Sequence, residues 1–410
     1  MLEQQTIAMK SPARLKMERL LAEDIRVARD REQQYFERLS GVRHSKIVLF
    51  GAGGLGRKCL AGLRHSGVEP VAFADNNENL WGKQIEGVDV LAPRDAANRF
   101  GQSAVFVVTI WGAFGKDRMQ HHLQSLRGLG CDAVIPFGPL FWRYPERLLP
   151  HYAADLPHLV LEQKQNILRC FDLWADEESR NEFAAQLEWR LSFDFGAMGA
   201  PARDSVYFPP DIVQLSSTEV FVDCGAYTGD TLSLFVQHAG PSFRRAHCFE
   251  PDPANFGKLS KTIASFPDDV RERVNWKCAA VSRENGTVQF SAEGSASSAV
   301  GVGDFEVECV SLDRYFDPNS SATDPPTFIK MDIEGAEPDA IRGAASAIRD
   351  CSPLLAISCY HRQDHLWSIP LLIHSLNPEY RFYLRPHDLE GWDLVCYAVP
   401  PSRLPMEGVR

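Results

Sequence analysis

The sequence predicts an α/β protein made of two Rossmann-like units joined by a helical segment. Two stretches of the 410-residue chain, "KIVLFGAGGLGRKCLAGL" and "EVFVDCGAYTGDTLSLF", run from an apolar strand through spaced glycines into a helical pattern. This order is typical of the first strand, loop and helix of a nucleotide-binding βαβ unit. The chain is also longer than one hydrophobic core usually serves. We therefore predict two independent sheets.

Composition restricts the classes of function. The formal net charge is -11, so sequence-independent binding of nucleic acid is not expected. The ten cysteines form no CxxC pair, which is typical of reduced thiols in a cytoplasmic protein rather than of a disulfide or zinc framework. The sequence contains no apolar run long enough to cross a membrane, so membrane insertion is not expected. We predict a cytoplasmic protein.

The order of patterns along the chain predicts its domain organisation. Charged residues alternate with leucines at helical spacing near the N-terminus, and a long stretch without glycine or proline, "EQKQNILRCFDLWADEESRNEFAAQLEWRLSF", separates the two units. The leading helix either packs on its own domain or serves as the arm of a homo-oligomer. The predicted parts are an amphipathic leading helix at 1–45, a Rossmann-like domain at 46–144, a helical connector at 145–215, a second α/β domain at 216–400 and a tail at 401–410.

The first unit carries a candidate nucleotide site. Its loop contains Gly51, Gly53, Gly54 and Gly56, of which the first, second and last have the GxGxxG spacing. Glycines there permit a tight turn and let a phosphate approach the backbone amides at a helix N-terminus. Asp75 ends the second strand, "PVAFADNN", and could accept hydrogen bonds from ribose hydroxyls.

The second unit repeats this arrangement. Its first strand ends at Asp223, and Gly225 and Gly229 bracket a turn that feeds a helix beginning near Asp230 and Thr231. A small anionic or amino-acid-like group could be held there.

Further strands complete the second sheet. The strand in "AHCFEPDPANF" ends at Glu250, where an acid typically meets a ribose. More strands are predicted in "VNWKCAAVS", "TFIKMDIEG", "LLAISCYH", "YRFYLRPHD" and "WDLVCYAVP", which makes about seven in one open sheet. Its ligand is expected beyond the carboxyl ends of the early strands.

Four motifs in this half resemble the FkbM family of S-adenosylmethionine-dependent methyltransferases. They are "VDCGAYTGDT", "CFEPDP", "VSLDRYF" and "IKMDIEGAE", within about Glu219 to Pro400. The resemblance implies a class I methyltransferase domain with a seven-stranded sheet and S-adenosyl-L-methionine as cofactor. It implies that the methionine side of the cofactor is held by Asp223, Gly225, Ala226 and Gly229. It also implies that Glu250 binds the ribose and that the adenine lies near Ala279 and Ala280. Tyr227 lies in the same loop, where the broader class often has a glycine, which leaves the loop geometry open.

The acids of "FIKMDIEGAE" are candidate catalytic residues. Asp332 and Glu334 follow the fourth strand and are expected to border the reaction centre. Asp332 could deprotonate the acceptor, help position the sulfonium, or hold a divalent ion with a second acid. His361, in "CYHRQDHLW", could act as a base or contact the acceptor; with Asp364 and His365 it could bind a metal if the segment is helical.

Two charged neighbours of these acids have structural interpretations. Glu337 is interpreted as a solvated acid in the first turn of the next helix. Lys330 lies two residues before Asp332 on the same strand and is expected to pair with an acid.

The first unit has a resemblance of its own. From Lys46 to Pro93 it is similar to the nucleotide-sugar-binding domain that precedes sugar N-acetyltransferases of the PglD type, through "GAGGLGR", "FADNN" and G-x-x-I-x-G-V-x-V. The two resemblances together imply an O-methyltransferase whose small acceptor is a sugar or nucleotide-linked sugar, in glycan or natural-product biosynthesis. Two alternatives for the first unit stay open: an NAD(P)-dependent oxidoreductase domain, and a module for oligomer contacts.

Overall fold

Two mainly parallel sheets organise the chain, and the predicted fold class is confirmed. The computed structural model describes residues 11–113, 118–202, 205–290, 305–317 and 324–404. None of the helices within these ranges is long and apolar enough to cross a membrane.

The leading segment forms two helices where the sequence predicts one. They are α1 (Pro12–Leu20) and α2 (Ile25–Ser40). Ser11 Oγ caps the first by accepting a backbone N–H three residues later at 3.3 Å, and Asp24 Oδ1 caps the second by accepting one two residues later at 2.8 Å. A capping acid inside the periodic pattern starts a new helix, which is why the single-helix prediction is wrong. Both helices bury side chains against the rest of the chain, among them Met17.

The first unit is a six-stranded sheet with helices packed around it. Its strands are β1 (Ile47–Phe50), β2 (Ala72–Ala74), β3 (Gln84–Ile85), β4 (Val88–Leu91), β5 (Val105–Val108) and β6 (Ala133–Pro136). Its helices are α3 (Gly54–His65), α4 (Pro93–Phe100), α5 (Met119–Gly128) and α6 (Gly138–Arg143). The strand order is β3-β4-β2-β1-β5-β6, and only the β3–β4 pair is antiparallel. The loop after β1, which carries Gly51 to Gly56, therefore lies where the strand order reverses.

The connector contributes to both cores. Its helices are α7 (Pro145–Leu148), α8 (Pro157–Glu162), α9 (Lys164–Phe171) and α10 (Glu177–Ser192). Along α10, Phe183 packs in the core of the second unit and Trp189 in the core of the first. One helix thus joins the two hydrophobic cores.

The second unit is a seven-stranded sheet accompanied by a small three-stranded one. Its strands and those of the small sheet are β7 (Val220–Cys224), β8 (Arg245–Phe249), β9 (Val274–Lys277), β10 (Ala280–Val281), β11 (Gly286–Phe290), β12 (Phe305–Val310), β13 (Phe328–Met331), β14 (Leu354–Ser358), β15 (Arg381–Pro386) and β16 (Leu394–Val399). Its helices are α11 (Asp230–Ala239), α12 (Pro253–Ala264), α13 (Asp268–Arg271), α14 (Leu312–Tyr315), α15 (Glu337–Arg342), α16 (Ala345–Asp350) and α17 (His365–Leu376).

The order of the large sheet is β15-β16-β14-β13-β7-β8-β9, and β16 is antiparallel to both of its neighbours. The carboxyl ends of β7, β8, β13 and β14 therefore meet at one edge, where β16 begins. The segment "VNWKCAAVS", predicted as one strand, is divided between β9 and β10, because β10 leaves the large sheet to pair with β12.

Two glycines of the first loop provide a matched test of this packing. A Cβ atom on Gly56 would lie 1.9 Å from the carbonyl oxygen of Gly51, whereas one on Gly53 would meet nothing within 4 Å. We expect Gly56→Ala to lower the free energy of unfolding by about 2 kcal/mol or more and Gly53→Ala to change it by less than about 0.5 kcal/mol. Urea denaturation followed by circular dichroism measures both. Equal losses in the two variants would contradict the packing described here.

Candidate active site

Two short segments form the centre of the site at the carboxyl edge of the large sheet. We call residues 225–231 the glycine loop and residues 332–337 the acid turn. The glycine loop follows β7 and the acid turn follows the neighbouring strand β13.

The glycine loop packs directly on the acid turn. Gly225 and Gly229 have φ angles of 80° and 86°, and a Cβ atom on Gly225 would lie 1.9 Å from the carbonyl oxygen of Asp332. Tyr227 adopts a φ of 47°, a left-handed conformation that costs a residue with a side chain about 1 to 2 kcal/mol. The loop therefore keeps a glycine-like backbone at Tyr227, which settles the geometry that the sequence left open.

Glu250 holds the glycine loop from the neighbouring strand β8. Its Oε2 accepts a hydrogen bond from the amide of Tyr227 at 2.8 Å, and its Oε1 accepts one from the amide of Asp252 at 2.9 Å. Burial raises the pKa of Glu250 to about 7. A carboxylate has about four acceptor positions, so two remain for further hydroxyl donors.

Lys330 joins the two strands beneath the loop. Its Nζ lies 2.9 Å from Asp223 Oδ1 and donates to the carbonyl oxygen of Gly225 at 2.7 Å. Both charged side chains are buried, and the expected pairing of Lys330 with an acid is confirmed. Burial by itself would lower the pKa of Lys330, but the charges of Asp223 and Asp332 raise it, so the ammonium stays charged. Asp223 thus supports the loop, while its Oδ2 has no hydrogen-bond partner among the described residues.

The remaining predicted cofactor residues border the same edge. Ala226 and Thr231 are buried, whereas Asp230 is exposed at the start of α11. Ala279 and Ala280 are buried just beyond β9. Cys278 Sγ approaches the carbonyl oxygen of Pro251 at 3.8 Å, which places this segment beside the residues that follow Glu250.

Asp332 is held by aromatic hydroxyls. Tyr207 Oη donates to its Oδ2 at 2.8 Å, and Tyr360 Oη lies 3.5 Å from its Oδ1. Nε2 of His361 lies 3.3 Å from the same Oδ1. The Asp332 side chain remains 24% exposed, so it is oriented by the protein and still accessible.

A buried Glu337 controls the charge of His361. The Nδ1 of His361 lies 2.8 Å from Glu337 Oε1, and the Nδ1 of His365 lies 3.4 Å from Oε2. Burial by itself would lower the pKa of His361, but Glu337, followed by Asp332, raises it to about 10. Burial by itself would raise the pKa of Glu337, but His361 and His365 lower it to about 2. The interpretation of Glu337 as a solvated acid is therefore wrong.

The sequence suggested two metal sites, one at Asp332 with a second acid and one at His361 with Asp364 and His365. The geometry treats the two differently. Helix α17 begins at His365, so His361 lies outside it, and both rings point to Glu337 rather than to the exposed Asp364. The helical histidine pair is thus not formed. Asp332, Glu337 and His361 do offer ligand atoms within 4.8 Å of one another. A protonated imidazole is not a metal ligand, however, so His361 fits an ion-pair role and would ligate a metal only after losing its proton.

Two further acids crowd this centre. Glu334 has a φ of 54°, and its Oε2 lies 3.7 Å from His361 Nε2. Burial raises the pKa of Glu334 to about 8. Asp393 precedes β16, and burial followed by the charge of Asp332 raises its pKa to about 7. Glu334 and Asp393 therefore change protonation near neutral pH, as Glu250 does on the side of the glycine loop.

Sequence reasoning missed three residues of this cluster, namely Tyr207, Tyr360 and Asp393. Tyr207 comes from an irregular segment without a motif. Asp393 had a usable signal, because an antiparallel last strand must begin at the edge where its parallel neighbours end.

The five predicted residues of the first unit also lie together. Asp75 Oδ2 accepts the amide of Ala52 at 2.7 Å, and Oδ1 accepts the amide of Asn77 at 2.7 Å. Gly51 has a φ of 113°, and side chains at Gly53 and Gly54 would meet open space. Asp75 thus holds its loop in the same way as Glu250 holds the second one.

Aromatic residues fill the space between the first unit and the acid turn. Trp111, which follows β5, has its ring centroid 4.7 Å from that of Trp392. The ring of Tyr152 lies 4.7 Å from Trp392 and 6.4 Å from His361. We call Trp111, Tyr152, Trp189 and Trp392 the aromatic cluster. It connects the two units beside the candidate active site.

Comparison with known proteins shows that the second unit is similar to a methyltransferase domain. Residues 223–388 match the family described as the methyltransferase FkbM domain. This match covers less than half of the chain. No curated protein matches the chain significantly.

A solved structure shares the fold over nearly the whole chain. The structure of methyltransferase FkbM from Methylobacillus flagellatus KT is 23% identical, with a TM-score of 0.75, over 94% of this chain and 98% of that one. Precorrin-6y C5,15-methyltransferase from Geobacter metallireducens GS-15 is 12% identical, with a TM-score of 0.28, over 46% of this chain and 82% of that one. A putative rRNA-methylase from Clostridium thermocellum is 9% identical, with a TM-score of 0.28, over 44% and 87%. The last two are too distant to inform the fold.

The ion pair of Glu337 and His361 predicts how stability depends on pH. The folded pKa of His361 is raised above its ordinary 6.5, so its contribution is complete below about pH 6.5 and is lost as the pH rises toward 10. The folded pKa of Glu337 is lowered from 4.5, so its contribution is lost as the pH falls from 4.5 toward 2. We expect Glu337→Gln to lose about 3 kcal/mol at pH 6 and to flatten the decline between pH 6.5 and 10.

Denaturant titrations over this pH range provide the measurement. Asp364→Asn is the matched control, because Asp364 is an exposed carboxylate next to His365. If the control and Glu337→Gln behave alike, the ion pair does not carry the effect.

Proposed function

We propose that the protein is an S-adenosylmethionine-dependent O-methyltransferase. Its acceptor is a hydroxyl of a small molecule, a sugar or nucleotide-linked sugar of glycan or natural-product biosynthesis. The observation that carries the proposal is the contact of the glycine loop with Asp332, since Gly225 approaches its carbonyl oxygen too closely for any side chain. A cofactor on the loop and a hydroxyl beside the Asp332 carboxylate would then be neighbours.

The residues of the glycine loop and its surroundings fit this cofactor. Bound S-adenosylmethionine supplies an electrophilic methyl group. Glu250 has acceptor positions left for ribose hydroxyls, and Asp223 has a buried oxygen without a hydrogen-bond partner in the described part of the chain. Ala279 and Ala280 offer small apolar side chains for the adenine. Orientation of the two reactants can contribute about 7 to 11 kcal/mol to the rate.

The acid turn accounts for the proton that a hydroxyl loses on methylation. We assign the orientation of the hydroxyl to Asp332, since Tyr207 fixes its carboxylate at 2.8 Å. We assign the base to Glu334 or Asp393, because burial raises their pKa values to about 8 and about 7, so each can take up a proton near neutral pH. A base contributes about 10²- to 10⁴-fold. We infer that His361, with its raised pKa, keeps its proton and balances the acids.

The sugar assignment is supported by the first unit. Its loop is open at Gly53 and Gly54, and Asp75 holds it as Glu250 holds the second loop. We propose that this unit binds the nucleotide of a nucleotide-linked sugar. We also propose that the protein is cytoplasmic.

The matching acids Glu250 and Asp75 permit a reciprocal test of the cofactor site. We expect S-adenosylhomocysteine to bind the wild type with micromolar affinity and Glu250→Gln at least about tenfold more weakly, because a carboxylate that accepts ribose hydroxyls is lost. Asp75→Asn should bind it as the wild type does. Isothermal titration calorimetry of the full chain measures all three. If the folded wild type does not bind S-adenosylhomocysteine, the methyltransferase assignment is wrong.

The same pair tests the first unit. We expect UDP-glucose or UDP-N-acetylglucosamine to raise the melting temperature of the wild type and of Glu250→Gln but not of Asp75→Asn, because a ligand of the native state stabilises it. NAD and NADP are the competing probes. A shift with NAD or NADP alone would favour the oxidoreductase alternative, and no shift with any probe would favour a contact module.

A further inference from the structure

A cleft outside the glycine loop and the acid turn lies between the connector and α17. It has a volume of about 650 Å³ and is lined by residues of 150–169 and 362–372. Amide and guanidinium side chains dominate one part of its wall, including Gln163, Asn166 and Arg169. Such groups offer hydrogen-bond donors and acceptors in fixed planes.

Two polar atoms of the wall lack partners within the protein. Gln363 Nε2 and Ser368 Oγ are buried and have no hydrogen-bond partner among the described residues, and both residues line the cleft. An unpaired buried polar group costs about 1 to 3 kcal/mol, so its presence calls for an explanation. Both atoms have almost no accessible surface, so a ligand rich in hydroxyl groups pairs them once the Gln363 and Ser368 side chains rotate toward the cleft.

The charges of the wall are close to balance. Its charged residues are two arginines, Arg169 and Arg362, and three acids, Asp155, Glu162 and Asp364. Because no cationic excess remains, the wall does not suit a phosphate or another anion.

The rest of the wall is apolar. Leu159, Leu371 and Leu372 line it together with Trp367. A pyranose ring also combines hydroxyl groups with C–H surfaces, so a wall of both kinds suits it.

The cleft adjoins the acid turn. A Cβ atom on Gly335 would lie 3.8 Å from Cγ of Arg362, which lines the cleft. The preceding residue, His361, has its Nε2 3.3 Å from Asp332. The loop that supplies Pro150 and Asp155 to the cleft also carries Tyr152, whose ring lies 6.4 Å from that of His361.

We propose that this cleft binds a neutral sugar, as the glycosyl part of the methyl acceptor. Its role for the acceptor rests on the proposed function, whereas the binding of a sugar there does not. The chemistry of the wall selects an uncharged, polyhydroxylated ring with one less polar face.

Saturation-transfer-difference NMR on the full chain tests the proposal with five probes: glucose, galactose, mannose, rhamnose and N-acetylglucosamine. We expect at least one sugar to receive saturation from the wild type and to bind Gln363→Leu and Asn166→Ala about tenfold more weakly, because each loses hydrogen bonds to the ring. Gln33→Ala, an exposed change on α2, should bind as the wild type does. Inorganic phosphate should not displace the sugar.

The outcomes separate this proposal from the proposed function. No saturation transfer to any of the five sugars overturns the cleft assignment, as does binding that both cleft variants leave unchanged, or displacement by phosphate. Two variants are used so that, if the melting curve shows that one is misfolded, the other still tests the cleft. Sugar binding that the cleft variants weaken, in a protein that does not bind S-adenosylhomocysteine, upholds the cleft and refutes the methyltransferase assignment.

Discussion

The buried ammonium of Lys330 is the interaction on which the geometry of the site depends. Removing such a charge from water costs several kcal/mol, which only well-placed partners offset. Its partners are the Asp223 carboxylate and the carbonyl oxygen of Gly225, and its Nζ also lies 5.3 Å from the centre of the Tyr207 ring. The glycine loop is thereby fixed to β13, and Tyr207 is placed where its hydroxyl reaches Asp332. One cation thus sets the position of the loop relative to the acid turn.

A second constraint is the excess of acids around one imidazole. Glu337 is fully buried and forms the closest ion pair with His361, so it neutralises most of the positive charge of the imidazolium. Glu334 and Asp393 then lie in a buried, negatively charged environment, which disfavours a further anion and explains their raised pKa values. The same residues therefore stabilise the fold and prepare two carboxyl groups for proton uptake near neutral pH.

The sequence was most informative where the candidate site residues lie close together along the chain. The loop at Gly51, the glycine loop and the acids Asp75 and Glu250 could be placed in the fold because each directly follows one predicted strand. Tyr207 could not, since a tyrosine in an irregular segment reaches Asp332 only through the tertiary fold. The burial of Glu337 was missed for a related reason: spacing suggests a helix start but does not reveal that two histidines from another segment cover it.

The aromatic cluster limits how the two units can cooperate. Trp189 and Trp392 are buried, and one helix, α10, contributes to both cores, so the contact resembles a domain interior more than a sliding surface. Large apolar contacts of this kind oppose relative motion of domains. The distance between the loop at Gly51 and the acid turn is therefore set by the fold. If both sites serve one substrate, that substrate must span this distance, because closure of the two units would first have to break the packing of Trp111 on Trp392.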